Sequence, residues 1–419
     1  MGGEAHLDRA HLGFDGRLTI EGLTVGLPAS LGHGPGYATL FDCQRIAVQL
    51  DIRRVWRGVV DAREVDIHQP RLHLVEDPQT GRLNLEDLPL PRGGGSSVEL
   101  RLPPRISLVG ARARFATLDA AGVDRTDAVL RISGELREQA DHPKRYDLAL
   151  QTFGDDAVAD AQLSGWVDTA NPGLNLDLAG LAFNDSYRPF VPPAFRDLWD
   201  RLEPVGRVPT AAVNLETDSA GRIRLNRAVL EMSDVALTPP YAELGLFDDD
   251  IAPRAAGPRY APRMTRVNGR LIADEQSVRI ENLTGTIEGI NYHLSGTWGL
   301  DAATPGALTL QTDAFTVQRN PLFVSGLPAA AATVFARLEP SGRFRATTHV
   351  RRATPGGDVA VSGRLEVLDA RALYAKFPFP IEGLRGEIRF DPDAVHLDGL
   401  TGRGPEGGVI TLNLSLIHI

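Results

Sequence analysis

Short runs of alternating apolar and polar residues recur along almost the whole chain, with turn residues between them. In one such run, Leu174, Leu176 and Leu178 alternate with Asn175 and Asp177. Successive side chains of a strand point to opposite faces, so this alternation predicts strands with one apolar and one polar face. We count about 25 candidate strands. Because crossover helices do not separate them, a parallel βαβ architecture is excluded, and we expect an all-β fold with a long, mainly antiparallel sheet.

Two segments have the spacing of apolar positions that is typical of a helix. In the first, Leu198, Trp199 and Leu202 share one helical face, which predicts a short helix near 193–202. The second predicts a short helix near 328–338. Both end in the same Leu-Glu-Pro-x-Gly-Arg pattern, in which Pro and Gly stop the helix before a strand begins. The shared ending indicates that the two helices belong to copies of one unit.

A longer pattern also occurs twice, from Gly269 to Gly285 and from Gly386 to Gly402. Both copies follow Gly-x-Leu/Ile-x-x-Asp-x-x-x-Val-x-Ile/Leu-x-x-Leu-Thr-Gly, which predicts a strand, a turn and a second strand. A repeated β unit forms an array, and arrays present long surfaces rather than a single pocket. Matching apolar positions of the two copies are expected to share one environment. These positions are Val278 and Ile280 in the first copy, Val395 and Leu397 in the second.

Composition and repeats divide the chain into successive segments. Glycine and serine at 93–97 predict a flexible connector. The last residues, 414–419, resemble the translation of a sequencing adapter, although Leu414 equally fits the end of a true strand. We therefore expect a fragment of a longer gene. The predicted segments are 1–92, 93–97, 98–188, 189–322, 323–413 and 414–419.

Composition narrows the possible functions. Aromatic residues make up only 6% of the chain, so a large apolar surface would be mainly aliphatic. The net charge of −10 argues against nucleic acid as a partner. A single cysteine, Cys43, excludes an internal disulfide and a cysteine-based zinc site. No stretch reaches the roughly 18–20 apolar residues that cross a bilayer, and residues 1–15 lack the apolar core of a signal peptide, so the chain is expected to be soluble.

No residue pattern predicts catalysis. The Gly-rich connector lacks the lysine of a phosphate-binding loop, and Leu294–Gly296 is not a nucleophile elbow. The Asp248–Asp250 run lacks the spacing and turn glycine of a calcium loop. Asp274 and Asp391 recur at the turn of each copy, where a short acidic side chain can cap backbone N–H groups. We therefore expect no enzyme activity, no catalytic residues, no metal and no cofactor.

The apolar face of the predicted sheet remains as the candidate for function. If the sheet folds onto a second sheet, this face is the core of a β-sandwich. If the sheet curls into an open trough, the same residues line an apolar channel. About 25 strands would extend roughly 100 Å, and open twisted sheets usually split or close beyond about 10 strands. Periodicity alone is equally compatible with packed sandwiches and with an open groove.

Several short motifs resemble the AsmA-like family of bacterial envelope proteins. Gly16 to Leu23 resembles its opening strands, Val65 to Leu74 its strand–Pro–strand element, and Gly81 to Leu88 its Gly-x-x-Asn-x-x-x-Leu turn. Phe377 to Ile381 resembles the start of the C-terminal repeats in larger members. Together the motifs touch most of residues 12–413, and the segment 1–92 is similar to the family's N-terminal part. Members usually begin with an inner-membrane helix, a feature that residues 1–92 do not contain.

The resemblance implies a fold and a function. The sheet would curl into a U-shaped groove with an aliphatic floor, similar to eukaryotic bridge-like lipid-transfer proteins. The groove would carry phospholipid acyl chains between the inner and outer membranes, in outer-membrane lipid homeostasis and assembly. The implied location is the periplasm of a diderm bacterium, with an inner-membrane anchor in the full-length protein. Implied partners are phospholipids, both membranes through segments outside this chain, and other envelope proteins. The alternative is a structural or adhesive β-sandwich protein of the envelope without lipid cargo.

Under this interpretation the groove floor is formed by alternate residues of the apolar strand faces. The expected lipid-facing residues are Leu72, Leu74, Leu148, Leu150, Leu174, Leu176, Val213, Leu215, Val278, Ile280, Leu308, Leu310, Leu365, Val367, Val395 and Leu397.

Overall fold

The structure is a computed structural model that describes most of the chain. The described residues are 4–28, 35–57, 61–80, 82–87, 102–119, 122–153, 161–170, 173–191, 193–217, 223–239, 262–301, 303–317, 339–374 and 377–417. The predicted connector at 93–97, the predicted helix near 328–338 and the Asp248–Asp250 run lie outside these ranges.

Strands account for most of the described residues, which confirms the predicted all-β class. Alternation of apolar and polar positions is the local reason, because it gives each strand one face that avoids water and one that accepts it. The strands are β1 (Glu4–His6), β2 (Arg9–Leu12), β3 (Arg17–Gly26), β4 (Thr39–Leu50), β5 (Ala62–Asp77), β6 (Arg82–Leu83), β7 (Arg105–Leu118), β8 (Asp124–Glu138), β9 (Arg145–Phe153), β10 (Gln162–Asp168), β11 (Gly173–Phe183), β12 (Val205–Thr217), β13 (Ile223–Leu237), β14 (Met264–Ala273), β15 (Ser277–Ile287), β16 (Ile290–Gly299), β17 (Gly306–Thr312), β18 (Phe315–Val317), β19 (Ser341–Arg352), β20 (Ala360–Tyr374), β21 (Phe377–Phe390), β22 (Ala394–Arg403) and β23 (Val409–Ile417).

Helices in the described part of the chain are short. The α-helices are α1 (Pro35–Ala38), α2 (Ile52–Val55) and α3 (Pro193–Leu202), and two 3₁₀ helices span Asn84–Asp87 and Asp185–Phe190. α3 confirms the predicted helix near 193–202. It begins at Pro193, whose missing N–H is not needed in a first helical turn, and it ends before Pro204.

The strands form one mixed sheet of 23 strands that is not closed. Most described pairs join strands that follow one another in the chain and run antiparallel, which confirms the predicted pairing. β5 and β7 differ, because they run parallel. A parallel pair needs a crossover connection of a dozen or more residues, and residues 78–104 supply that length here.

The chain divides into two compact units. Unit 1 contains Met1–Asp200 and Arg207–Arg227, and unit 2 contains Arg201–Gly206 and Ala228–Ile419. In unit 2 the final strand, β23, pairs with β22 and runs to Ile417. The backbone at 414–417 is therefore strand.

Unit 1 has a small buried cluster beside the end of β5. Its members are Leu27, Tyr37, Leu40, Val75 and Ala116. The fully buried Asn84 fixes the first 3₁₀ helix against this cluster. Its Oδ1 accepts from the Val75 N–H at 3.1 Å, and its Nδ2 donates to the carbonyls of Tyr37 at 3.1 Å and His73 at 3.0 Å. A buried amide with satisfied partners is costly to replace, so Asn84 locks this end of the sheet.

Unit 2 has two buried clusters, of which the second is the larger. The first lies between β13, β14 and β15 and contains Met232, Val235, Met264, Val267 and Leu283. The second involves β18 to β22 and contains Val317, Phe344, Val367, Ala370, Ala372, Ile381, Leu384, Val395, Leu397 and Leu400. The sheet of unit 2 is therefore well packed towards its C-terminal strands.

Candidate functional site

The pairing register of unit 1 aligns apolar residues into two neighbouring rows that cross nine strands, β2 to β5 and β7 to β11. Directly paired residues of neighbouring strands project to the same side of a sheet, so each row lies on one face. Row A contains Leu12, Leu18, Val48, Val65, Ile106, Leu136, Leu148, Gly165 and Leu176. Row B contains Ala10, Ile20, Ile46, Ile67, Leu108, Gly134, Leu150, Leu163 and Leu178. We call these two rows the unit 1 apolar face.

Most side chains of the unit 1 apolar face are only partly buried. Ile46 is 9% exposed and Leu12 is 52% exposed. The exposed fractions of the other Leu, Ile and Val side chains of both rows lie between these two values. None of the row residues belongs to the buried cluster around Val75. Among the described residues, unit 1 thus presents an aliphatic surface that is shielded mainly by its own neighbours.

The opposite face of the same strands is polar and paired. Arg105 of β7 bridges Glu64 of β5 at 2.8 Å and Glu135 of β8 at 3.1 Å, and Arg137 contacts Glu135 at 2.7 Å. These ion pairs are partly exposed, so they contribute little to stability. They show that this face of the sheet is exposed to solvent.

Near the middle of β3, β5 and β7 the alternation slips by one residue. Gly22, Gln69 and Gly110 have positive φ angles of 67°, 50° and 63°, and they lie at matching levels of the three strands. A left-handed residue turns the strand so that the next side chains change face. In a regular strand, residues three apart point to opposite faces. In β4, however, Ile46 and Cys43 are three residues apart and both are buried, which shows the slip. Leu72 and Leu74 lie beyond this slip.

An aromatic cluster adjoins the far end of β7. The ring of Phe190, in the second 3₁₀ helix, meets Phe115 of β7 edge to face at 4.8 Å. Phe183 contacts Trp199 of α3 at 5.0 Å in the same manner. Leu74 pairs with Phe115, so the line of predicted floor residues ends against this cluster. Sequence spacing does not predict this cluster, because its aromatic residues come from separate segments of the chain.

An ion pair anchors α3 to the sheet beside these rings. The Arg196 guanidinium binds the carboxylate of Glu76, a side chain that is only 10% exposed. The Nε of Arg196 also donates to the Val191 carbonyl at 3.0 Å. Breaking a buried pair of this kind leaves an uncompensated charge. The helix is therefore held against the end of β5.

Unit 2 also aligns predicted floor residues across its strands. Row C contains Leu230, Leu271, Ile280, Gly296, Leu308, Val350 and Val361. Row D contains Leu294, Leu310, Thr348, Gly363, Phe390 and Val395. Row E contains Ala346, Leu365, Ile388 and Leu397. Row D is interrupted by a threonine, so the unit 2 face is less uniform than that of unit 1.

The sixteen predicted floor residues fall into three classes of burial. Leu72 is exposed at 37%. Fully buried are Leu308, Val367, Val395 and Leu397. Partly buried are Leu74, Leu148, Leu150, Leu174, Leu176, Val213, Leu215, Val278, Ile280, Leu310 and Leu365. Val213 and Leu215 lie in β12, and Leu174 lies beside Val167 and Tyr146, one step from row A. Leu72 and the partly buried class are the predicted residues with surface available to a ligand.

The expectation of one shared environment for the two sequence copies is wrong. Val278 and Ile280 are partly exposed, whereas Val395 and Leu397 are 3% and 2% exposed. The partners explain the difference for one of the two positions. Ile280 faces Gly296, which has no side chain, whereas the matching Leu397 pairs with Ile388 and Leu414.

The predicted turn role of the two aspartates is confirmed. Asp274 Oδ1 accepts from the N–H groups of Gln276 and Ser277 at 2.8 and 2.7 Å. Asp391 Oδ1 accepts from the N–H groups of Asp393 and Ala394 at 2.9 and 2.8 Å. The N–H donors of Gln276 and Ser277 lower the pKa of the Asp274 carboxyl. Both side chains thus tie a hairpin turn.

Two buried or partly buried titratable side chains stay uncharged. Burial raises the pKa of the Cys43 thiol, and burial raises the pKa of Tyr292 to about 12, so both stay protonated near neutral pH. His73 pairs with Asp42 at 2.6 Å on the polar side of β5. Within the described residues, no group of three His, Cys, Asp or Glu side chains is placed to hold a metal ion.

Among the helices that the structure describes, none is long and apolar enough to cross a membrane. Comparison with known protein families, curated proteins and solved structures found no match for the chain. The function must therefore be argued from the surface itself.

Proposed function

We propose that this protein binds the acyl chains of phospholipids on the apolar face of its sheet, without catalysing a reaction. The observation that carries the proposal is the unit 1 apolar face, where aliphatic rows A and B cross nine strands and stay partly exposed. Contiguous apolar patches of this kind mark interaction surfaces in soluble proteins. A uniformly aliphatic strip, poor in polar side chains, matches an acyl chain in both shape and chemistry.

Energetics favour this ligand. Each methylene moved from water to an apolar surface gains about 0.8 kcal/mol, so a long chain would bind firmly without a specific polar contact. Neighbouring Leu, Ile and Val side chains offer sites of similar free energy, so displacement of the chain along the face meets no large barrier. The phosphate headgroup can remain in water while the tail lies on the sheet.

The motif resemblance to AsmA-like proteins extends the proposal to a cellular role. In that role the protein is a non-enzymatic conduit for phospholipids between the inner and outer membranes of a diderm bacterium, located in the periplasm. Its partners are phospholipids, both membranes and other envelope proteins. The conduit is a groove whose floor includes the partly buried class of predicted residues.

A packed β-sandwich of structural or adhesive function is the competing proposal. The burial of Val395 and Leu397 in a cluster with Phe344 is the observation that favours it for the C-terminal strands. In unit 1 the same interpretation would require a second layer on rows A and B.

Two neighbouring residues of β9 separate the proposals. Leu150 lies on the unit 1 apolar face, and Gln151 is exposed on the polar face. We expect Leu150→Asp to stay folded and to lose lipid, because a carboxylate beside an acyl chain loses hydration without gaining a partner. Gln151→Asp adds the same charge on the wet face and should bind lipid like the wild type.

Native mass spectrometry of gently purified protein, with titration of a fluorescent fatty acid, measures the binding. Wild-type protein that carries no phospholipid and has no affinity for the probe contradicts the proposal. A collapsed melting transition for Leu150→Asp alone would instead identify the face as the core of a sandwich.

A further inference from the structure

Three arginines lie in register on the polar face of unit 1. Arg71 of β5 pairs with Arg112 of β7, and Arg112 pairs with Arg131 of β8. All three side chains are exposed, that of Arg71 by 56%. Neighbouring strands are about 4.8 Å apart, so three positive charges stand side by side. We call this set the arginine row.

Two members of the arginine row are poorly neutralised by the protein. Arg71 has one carboxylate nearby, Asp42 at 3.8 Å, which makes a closer contact of 2.6 Å with His73. Within the described residues, Arg112 has no ion-pair partner. Like charges directly opposite one another on neighbouring strands destabilise a sheet. Elsewhere on this face the strands avoid the penalty, since Arg105 lies between Glu64 and Glu135.

Exposed apolar side chains flank the arginine row on the same face. Phe153 pairs with Arg131 and is 42% exposed, and Val129 pairs with Arg114 and is 48% exposed. Val109, which pairs with His68, is 46% exposed. Exposed apolar side chains that cluster on one face indicate a surface that meets an apolar partner.

The surrounding charges leave the row basic. On β8, Asp124 is occupied by Arg114, and Asp127 accepts from the Thr117 hydroxyl at 2.6 Å. Arg45 of β4 lies opposite Glu21 of β3, so this pair leaves the charge of the row unchanged. The patch thus keeps a positive centre in a chain of net charge −10.

We infer that the arginine row and its apolar flanks dock unit 1 onto the surface of a bilayer that contains anionic phospholipids. Guanidinium groups bind lipid phosphates in a forked geometry, and Phe and Val side chains can enter the zone just beneath the headgroups. An acidic protein surface would match the arginines, but the ring of exposed Phe and Val favours a bilayer. The patch lies on the face opposite rows A and B, so docking leaves the unit 1 apolar face free.

Vesicle co-sedimentation tests the inference. The wild-type protein should bind vesicles of phosphatidylcholine mixed one to one with phosphatidylglycerol and should not bind pure phosphatidylcholine. Salt should weaken the binding, because ions screen the attraction between arginine and lipid phosphate, and the Debye length is about 8 Å at physiological ionic strength. Removal of each basic residue at an anionic membrane surface weakens partitioning about fivefold, so Arg112→Gln and Arg71→Gln should each show that loss.

Arg137→Gln is the matched control. It removes the same charge from the same face of β8, but from an arginine paired with Glu135 at 2.7 Å, and it should keep wild-type vesicle binding. Thermal melting gives a second readout. Relief of like-charge repulsion should leave the melting temperature of Arg112→Gln equal to or above that of the wild type. Removal of an arginine that only stabilises the fold would lower the melting temperature.

Two outcomes would overturn the inference. One is absence of wild-type binding to the anionic vesicles, and binding of polyglutamate by the same protein would then identify an acidic protein surface as the partner. The other is an equal loss of vesicle binding in Arg112→Gln and Arg137→Gln. Fatty-acid loading keeps the two proposals apart, since Arg112→Gln should load fatty acid normally while Leu150→Asp should still bind anionic vesicles.

Discussion

The two copies of the repeated sequence pattern, Gly269 to Gly285 and Gly386 to Gly402, share a backbone but not an environment. Their pairing registers match residue for residue at an offset of 386 − 269 = 117, including both register shifts. The leading glycines have φ angles of 140° and 141°. Where the first copy has Asn282 at φ 50°, the second has Gly399 at φ 58°.

Among the matching apolar positions, burial separates the copies only near the turn. Leu283 and Leu400, at matching positions beside the left-handed residue, are both buried, at 5% and 1% exposure. Closer to the turn, Ile280 is partly exposed and Leu397 is buried. Matching strand–turn–strand backbones can therefore carry a partly exposed side chain in one place and a core side chain in another. The neighbouring strands make the difference.

The largest expected effect comes from a charge placed at the two unlike positions. Leu397→Asp puts a carboxylate into the buried cluster and should destabilise the protein by on the order of 4 kcal/mol. Ile280→Asp keeps partial access to water and should cost about 2 kcal/mol while lipid loading falls. Urea unfolding gives both values. Equal costs at both sites would show that the two environments are the same.

The leading glycines should behave alike, because the backbone is what the copies share. A Cβ on Gly269 would lie 2.7 Å from the Leu283 Cα, and one on Gly386 would lie 2.8 Å from the Gly399 carbonyl oxygen. With φ near 140° as well, each Gly→Ala substitution should cost about 2–3 kcal/mol. Chemical denaturation of both variants checks this, and a difference above about 1 kcal/mol would break the equivalence of the backbones.

Smaller truncations should reveal the environments again. Val395→Ala removes buried methyl groups and should cost about 2 kcal/mol. Val278→Ala, at a partly exposed position beside Ala273, should cost less than about 1 kcal/mol. Thermal melting of the two variants supplies the comparison. A larger loss for Val278→Ala would mean that Val278, and not Val395, is the more deeply packed side chain.

The smallest effect concerns acid. Hydrogen bonds from Gln276 and Ser277 lower the pKa of Asp274 below its unfolded value of about 3.9. The contribution of these hydrogen bonds to the free energy of unfolding is therefore fully present above that pH. It is lost as the pH falls through the lower, folded-state pKa. Asp274→Asn keeps an acceptor oxygen and should flatten this part of the stability curve. Unfolding free energies between about pH 5 and pH 2 test the change, and an unaltered slope would assign the acid sensitivity to other groups.

Much of the local structure follows from the sequence. Alternating residues predict the strands, the Asp at each repeat turn predicts a capped hairpin, and the apolar spacing of 193–202 predicts α3, because each depends on contacts between residues close in the chain. The aliphatic character of the apolar face is likewise a property of composition. None of these features needs knowledge of which strand lies beside which.

Only the tertiary structure decides what each apolar side chain meets. Burial of Leu397 depends on its pairing partners Ile388 and Leu414, and partial exposure of Ile280 depends on Gly296, which lies opposite Ile280 only in the final register. The slip at Gly22, Gln69 and Gly110, the parallel pairing of β5 with β7 and the arginine row arise in the same way. Side chains on a strand change face with every residue, so a register set by long-range pairing fixes the neighbours of each position, which local alternation leaves free.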